Sequence, residues 1–130
     1  MSTITLTLPM PPTINTYYGM RPRGGRFVKP AGMAFRKAVA EIVAAAGYPL
    51  LEGRIAMFVT IHPADRRSQD LDNRAKSLQD ALTHAGVWLD DEQIDDLHLV
   101  RREVIKGGMV KVVISEINSN DALTNSGNRP

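Results

Sequence analysis

Thr3-Ile4-Thr5-Leu6-Thr7-Leu8 alternates polar and apolar residues with a period of two, the pattern of a strand buried on one face. Pro9, Pro11 and Pro12 close it, because a proline ring removes the N–H that a sheet ladder needs. Residues 19–32 carry four glycines and two prolines among basic side chains, which predicts a loop. From about Gly32 to Ala46 the period becomes helical. Phe35, Val39, Ile42, Val43 and Ala46 fall on one face, and Gly47 followed by Pro49 supplies the stop. Arg54 to His62 returns to alternation, with Ile55, Met57, Val59 and Ile61 on one side. A second helix is predicted over residues 72–85, with Leu71, Ala75, Leu78, Leu82 and Ala85 inward and Gly86 just past its end. Val87-Trp88-Leu89 forms an apolar plug before the acidic stretch 90–96, and two further strands are predicted near 97–105 and 109–116. Lys106-Gly107-Gly108 between them reads as a hairpin turn.

These elements give the order β-α-β-α-β-β: one α/β domain, a small mixed sheet packed by two helices. The chain of 130 residues suits a single core over residues 1–117, and the polar stretch 118–130 is expected to be a disordered tail. There is no cysteine, which removes disulfides and thiolate metal sites. Neither a run of about 20 apolar residues nor a signal-peptide pattern occurs, so a cytoplasmic protein without a membrane partner is expected.

Charge changes the picture more through its placement than through its net value of +2. Residues 1–40 hold six basic side chains (Arg21, Arg23, Arg26, Lys29, Arg36, Lys37) and no acidic one. Residues 62–96 hold nine acids against four bases. A basic surface suits a polyanion, and a neighbouring acidic pocket suits a divalent cation. Dispersal over a solvated surface is the competing reading.

Within the acidic half, Asp70-Leu71-Asp72 matters most. In an extended entry to the helix, both carboxylates face one side while Leu71 faces the core. Two carboxylates converging with a third concentrate negative charge, which a hard divalent ion offsets. A calcium-binding helix-loop-helix fails at its fifth, sixth and twelfth positions, which are Arg74, Ala75 and Ala81. A phosphatase-type Asp-x-Asp should directly follow a buried strand, but polar residues 65–69 intervene. Simple helix capping explains one aspartate of the pair, not both. Lys76 stands one turn after Asp72, either as its i,i+4 ion-pair partner or as an ammonium at the edge of a metal site. Asp90 with Gln93 three residues later fits a capping box, leaving Asp91 free for metal. Asp80, Asp95 and Asp96 read as surface or hydrogen-bonding residues. His62, His84 and His98 lack ligand-like spacing.

The segments Arg66-Arg67-x-x-Asp70-Leu71-Asp72-Asn73-x-x-Lys76, Asp80-Ala81-Leu82-Thr83 and Gly86-x-Trp88-Leu89-Asp90-Asp91 together resemble the RusA-type Holliday-junction resolvases. The opening Leu8-Pro9-x-Pro11-Pro12-x-x-Asn15-x-x-Tyr18 and the Lys106–Gly108 turn agree, so the resemblance spans roughly residues 3–117. It implies a homodimeric, bacterial or prophage-type endonuclease that cuts four-way DNA junctions in recombination and repair with Mg²⁺ or Mn²⁺. Asp70, Asp72 and Asp91 take the metal-binding catalytic places, and Lys76 that of a catalytic lysine. Arg66, Arg67, Arg21, Arg23, Arg26 and Lys29 are the expected DNA contacts, with Asp90, Asn73 and Asn15 in support. Ser68 and Gln69 depart from the longer arginine run of family members, and Gln79 stands where an aromatic can occur. Two other readings remain open: a metal nuclease for forks or flaps, and a junction-binding protein that does not cut.

Overall fold

The computed structural model describes residues 3–117. Residues 118–130, expected as a disordered polar tail, lie outside the described residues. The elements run β1 (Thr3–Pro9), α1 (Ile14–Tyr17), β2 (Tyr18–Met20), β3 (Arg26–Val28), α2 (Pro30–Ala46), β4 (Ile55–His62), α3 (Ala75–His84), β5 (Ile94–Arg101) and β6 (Met109–Glu116). Two 3₁₀ turns, Asp72–Arg74 and Asp91–Gln93, precede α3 and β5. The main sheet has the order β1-β6-β4-β5, and β2 pairs only with β3.

Alternation buries one face of that sheet. Ile4, Leu6, Leu8, Ile55, Met57, Val59, Ile61, Val110, Val112 and Ile114 point into the core. Phe35 and Val39 of α2 and Leu78, Ala81 and Leu82 of α3 close it from the helix side. Each large side chain buried there contributes about 1.5–3 kcal/mol relative to exposure. The opposite face carries exposed Thr5, Thr7, Phe58, His98 and Lys111, so the molecule has two layers. Gly47 (φ 72°) ends α2 in the left-handed region, as its sequence position predicts.

Four expectations need correction. Residues 19–32 are not one loop: they form the antiparallel β2–β3 ribbon and then the first turn of α2, with Pro30 at its start. The second helix opens as a 3₁₀ turn at Asp72–Arg74 and becomes α-helical only from Ala75. Ala46, expected in the core stripe of α2, is exposed. Lastly, β5 begins at Ile94, ends at Arg101 and does not pair with β6. Gly107 and Gly108, both at positive φ, do make a tight turn. Before it, however, Arg102 N–H donates to the Ile61 carbonyl and Ile105 N–H to that of Pro63. The chain thus crosses the end of β4, which comes to lie between β5 (parallel to it) and β6 (antiparallel). The parallel pair requires a crossover, and α3 supplies it. That crossover carries the acidic residues past the end of the sheet.

Candidate active site

Asp70 and Asp72 stand where the chain leaves the sheet and enters α3. Asp72 begins the 3₁₀ turn, where a negative charge meets the positive end of the helix dipole. Both are exposed, and among the described residues neither carboxylate has a hydrogen-bond or ion-pair partner. Asp70 lines a depression of about 280 Å³ together with Thr13, Ser68, Gln69, Asn73 and Arg74. Arg74 braces its wall: Nε donates to Gln69 Oε1 at 3.0 Å and Nη1 to the Pro11 carbonyl. Ser77 Oγ donates to the neighbouring Pro12 carbonyl. The proline segment is therefore held against the mouth of α3 through carbonyls alone, which suits residues without an N–H of their own. Arg74 and Ser77 escaped the sequence reading because a side chain bonded to a distant carbonyl leaves no local pattern.

Asp91 is placed from the other side. Val87 and Trp88 are buried, and Trp88 Nε1 donates to Thr83 Oγ1 at 2.6 Å, anchoring the chain just before the second 3₁₀ turn. Asp90 caps that turn through Glu92 N–H, and Gln93 Oε1 accepts from the N–H of Leu89 and of Asp90. This is the capping box expected from the sequence. Buried Gln93 does more, since its Nε2 donates to the carbonyls of Leu51 and Gly53. Asp91 is left with its carboxylate on Lys76 Nζ at 3.0 Å. The i,i+4 reading, Lys76 with Asp72, is thus replaced by a tertiary pair that brings Lys76 and Asp91 together across 15 residues.

Among the described residues no three His, Asp or Glu side chains stand close enough to hold one ion between them. The expected trio therefore does not form such a group: Asp70 and Asp72 have no protein partner among the described residues and Asp91 is engaged by Lys76. Its donor chemistry still fits a hard divalent cation: Mg²⁺ takes one or two carboxylates directly and fills its remaining positions with water or phosphate oxygen.

Asp80 is excluded from such a site by its bonds. It accepts from Tyr17 Oη and from Arg36 Nε (3.0 Å) and Nη2 (2.8 Å), while Arg36 Nε also reaches Tyr17 Oη at 2.9 Å. Burial alone would raise the Asp80 carboxyl, but these donors hold it below the ordinary carboxylate range. Tyr17 is fully buried, and its hydroxyl is pushed far above the ordinary tyrosine value by burial first and by Asp80 second. The network pins α1, α2 and α3 together one turn from Lys76. Asp95 likewise belongs to a surface pair with Arg54.

Of the expected DNA contacts, Arg66 is exposed, and Arg67 is paired with Asp65 at 2.9 Å on an open surface. Arg21, Arg23 and Arg26 lie on the β2–β3 ribbon, and Lys29 Nζ donates to the carbonyl of exposed Asn15. Asn73 is exposed on the rim of the depression. His62 is buried, with Nδ1 2.9 Å from the Glu103 carbonyl, whereas His84 and His98 are exposed.

Fold and site together define a class: a small α/β domain that offers oxygen ligands, a nearby ammonium and an arginine-bearing ribbon to a polyanion. The family model for endodeoxyribonuclease RusA matches residues 9–115. The crossover junction endodeoxyribonuclease RusA of Escherichia coli strain K12 is 44% identical over 121 residues, covering 90% of this chain and 98% of that protein. The enzymes of that name from Shigella sonnei strain Ss046 and enterobacteria phage 82 are each 42% identical with the same coverage. The chain belongs to the RusA family of endodeoxyribonucleases.

Proposed function

We propose that this protein resolves four-way DNA junctions by paired, symmetric nicks, using a divalent cation for which Asp70, Asp72 and Asp91 supply the carboxylates, one or two of them as direct ligands and the rest through water. The carrying observation is the carboxylate pair Asp70 and Asp72, free of protein partners at the mouth of α3. Among the described residues Asp65, Asp80, Asp90, Asp91 and Asp95 each accept a bond, from Arg67, from Tyr17 and Arg36, from the Glu92 N–H, from Lys76 and from Arg54, and Asp96 on β5 is the one further aspartate without such a partner. When bound, Mg²⁺ or Mn²⁺ supplies Lewis-acid polarisation of the phosphate and a water acidic enough to attack at neutral pH.

The chain's own residues do the rest. Lys76 keeps an ammonium beside Asp91 until phosphate arrives. With side chains 44% and 29% exposed, that pair contributes about 0.5–1 kcal/mol, so its opening is cheap. The freed ammonium then faces the charge that develops on phosphate oxygen. The Asp90–Gln93 capping box fixes where Asp91 sits, and the Pro11–Pro12 brace fixes the wall beside Asp70. Arg66, Arg67 and the ribbon arginines position the DNA backbone without reading bases.

Two matched cuts require two sites, so we assign a homodimer of twofold symmetry, with residues 1–117 as the nuclease domain of each protomer. Among the described residues no helix is long and apolar enough to cross a membrane, and we place the enzyme with DNA in the bacterial cytoplasm. The test compares a four-way junction, a fork and a linear duplex with Mg²⁺ and with EDTA. Paired nicks on the junction alone, abolished by EDTA, are expected. Equal cutting of forks overturns the junction preference, and binding without cutting overturns the nuclease reading.

A further inference from the structure

The β2–β3 ribbon carries side chains that backbone binding leaves unused. Met20 is 73% exposed and Phe27 38% exposed, and they flank Arg21, Arg23 and Arg26. No acidic residue occurs anywhere in residues 1–40. The ribbon is built rather than loose. Gly24 and Gly25, at φ 94° and 81°, form a tip in which Arg21 N–H donates to the Gly25 carbonyl. The Phe27 ring lies across Gly19, where a Cβ would stand 2.5 Å from it. The Arg26 guanidinium stacks over the Tyr18 ring at 4.1 Å, and that of Arg21 lies 5.8 Å from the Phe27 centroid.

Its footing is equally fixed. Lys29 N–H donates to the Tyr17 carbonyl at 2.8 Å, and buried Gly32 lets that carbonyl and Val28 approach α2. Tyr17 is in turn bonded to Asp80 of α3. A stiff ribbon with an apolar pair among cations matches a ligand that is both polyanionic and apolar-faced, which is DNA with bases open to contact.

We propose that the ribbon is a branch-point wedge: its arginines hold phosphates while Met20 and Phe27 pack on nucleobases that have lost a stacking neighbour where the arms meet. This rests on the junction-cleaving reading above. In a continuous duplex both faces of each base are covered, so an inserted side chain must first unstack them. At a branch point that cost is already met. The arginines therefore give affinity for any DNA, and the apolar pair gives preference for branched DNA.

The test measures binding of the full chain, in EDTA, to a junction with 2-aminopurine at the branch point and to a linear duplex. Met20→Ser, which leaves the Phe27 ring packed on Gly19, is expected to bind the junction roughly fivefold more weakly. It should lose the 2-aminopurine fluorescence change, with duplex affinity and salt dependence intact. Arg21→Gln/Arg26→Gln should weaken both substrates and lower the salt slope by up to about two, and Phe27→Tyr should behave as wild type. Equal losses on junction and duplex, or no loss on the junction, overturn the wedge. Circular dichroism checks folding; if Met20→Ser is unfolded, Met20→Gln must show the same selective loss. Wild-type junction cleavage in Mg²⁺, measured alongside, separates failure of the wedge from failure of the nuclease reading.

Discussion

Replacing Asp80 with asparagine separates a structural carboxylate from those proposed to be catalytic. Asn keeps the shape and one acceptor oxygen but removes the charge that receives Tyr17 Oη and two N–H groups of Arg36. Hydrogen bonds to a charged partner contribute about 1.5–3 kcal/mol each and neutral ones about 0.5–1.5. Downgrading the two arginine bonds therefore costs about 2 kcal/mol, allowing for side chains 20% and 26% exposed. For a domain of this size that lowers Tm by roughly 6–12 °C. The pH dependence carries the sign. The folded-state value of Asp80 is depressed, so its contribution is complete above the unfolded value near about 3.9 and is lost as pH falls through the folded value. Thermal or urea unfolding of wild type and Asp80→Asn at pH 7 and at pH 3 measures this. The gap between the two proteins should be full at pH 7 and shrink in acid, while the variant still cuts DNA below its melting temperature. A gap independent of pH, or a folded variant without cleavage, refutes the reasoning.

Asp90→Ala should cost about 1 kcal/mol of stability as a lost cap yet retain cleavage, whereas Asp91→Asn should abolish cleavage; a larger activity loss in Asp90→Asn than in Asp91→Asn contradicts the assignment. Gln93→Leu should be the most destabilising single change around the site, by about 3–4 kcal/mol in urea unfolding, because it strands the N–H groups of Leu89 and Asp90 and the carbonyls of Leu51 and Gly53. A cost under about 1 kcal/mol would show that water replaces those bonds.

What the chain discloses in advance is local. The period of two in β1 and β4, the glycine that ends α2 and the Asp90–Gln93 box each depend on residues within a few positions of one another, and each stands in the structure. What it conceals depends on distant partners. The Gly107-Gly108 turn looks like a hairpin, and only the bonds from Arg102 and Ile105 to the end of β4 reveal that β6 is carried to the far side. Residues 19–32 look like a loop because glycine and proline dominate, and the ribbon forms because Gly19 admits the Phe27 ring and Gly32 admits the Tyr17 carbonyl. At the site, spacing along the chain singles out Asp70, Asp72, Lys76 and Asp91. It suggests Asp72 as the lysine's partner where the fold supplies Asp91, since i,i+4 proximity carries no information about a residue returning from the other end of α3.

The most direct test of a metal-dependent junction nuclease centred on Asp70 compares wild type with Asp70→Asn on a mobile four-way junction in Mg²⁺, recording binding and cleavage together. Wild type should introduce symmetric paired nicks, and the variant should bind the junction with unchanged affinity and cut neither strand. A variant that cuts as fast as wild type, or a wild type that binds without symmetric nicking, would contradict it.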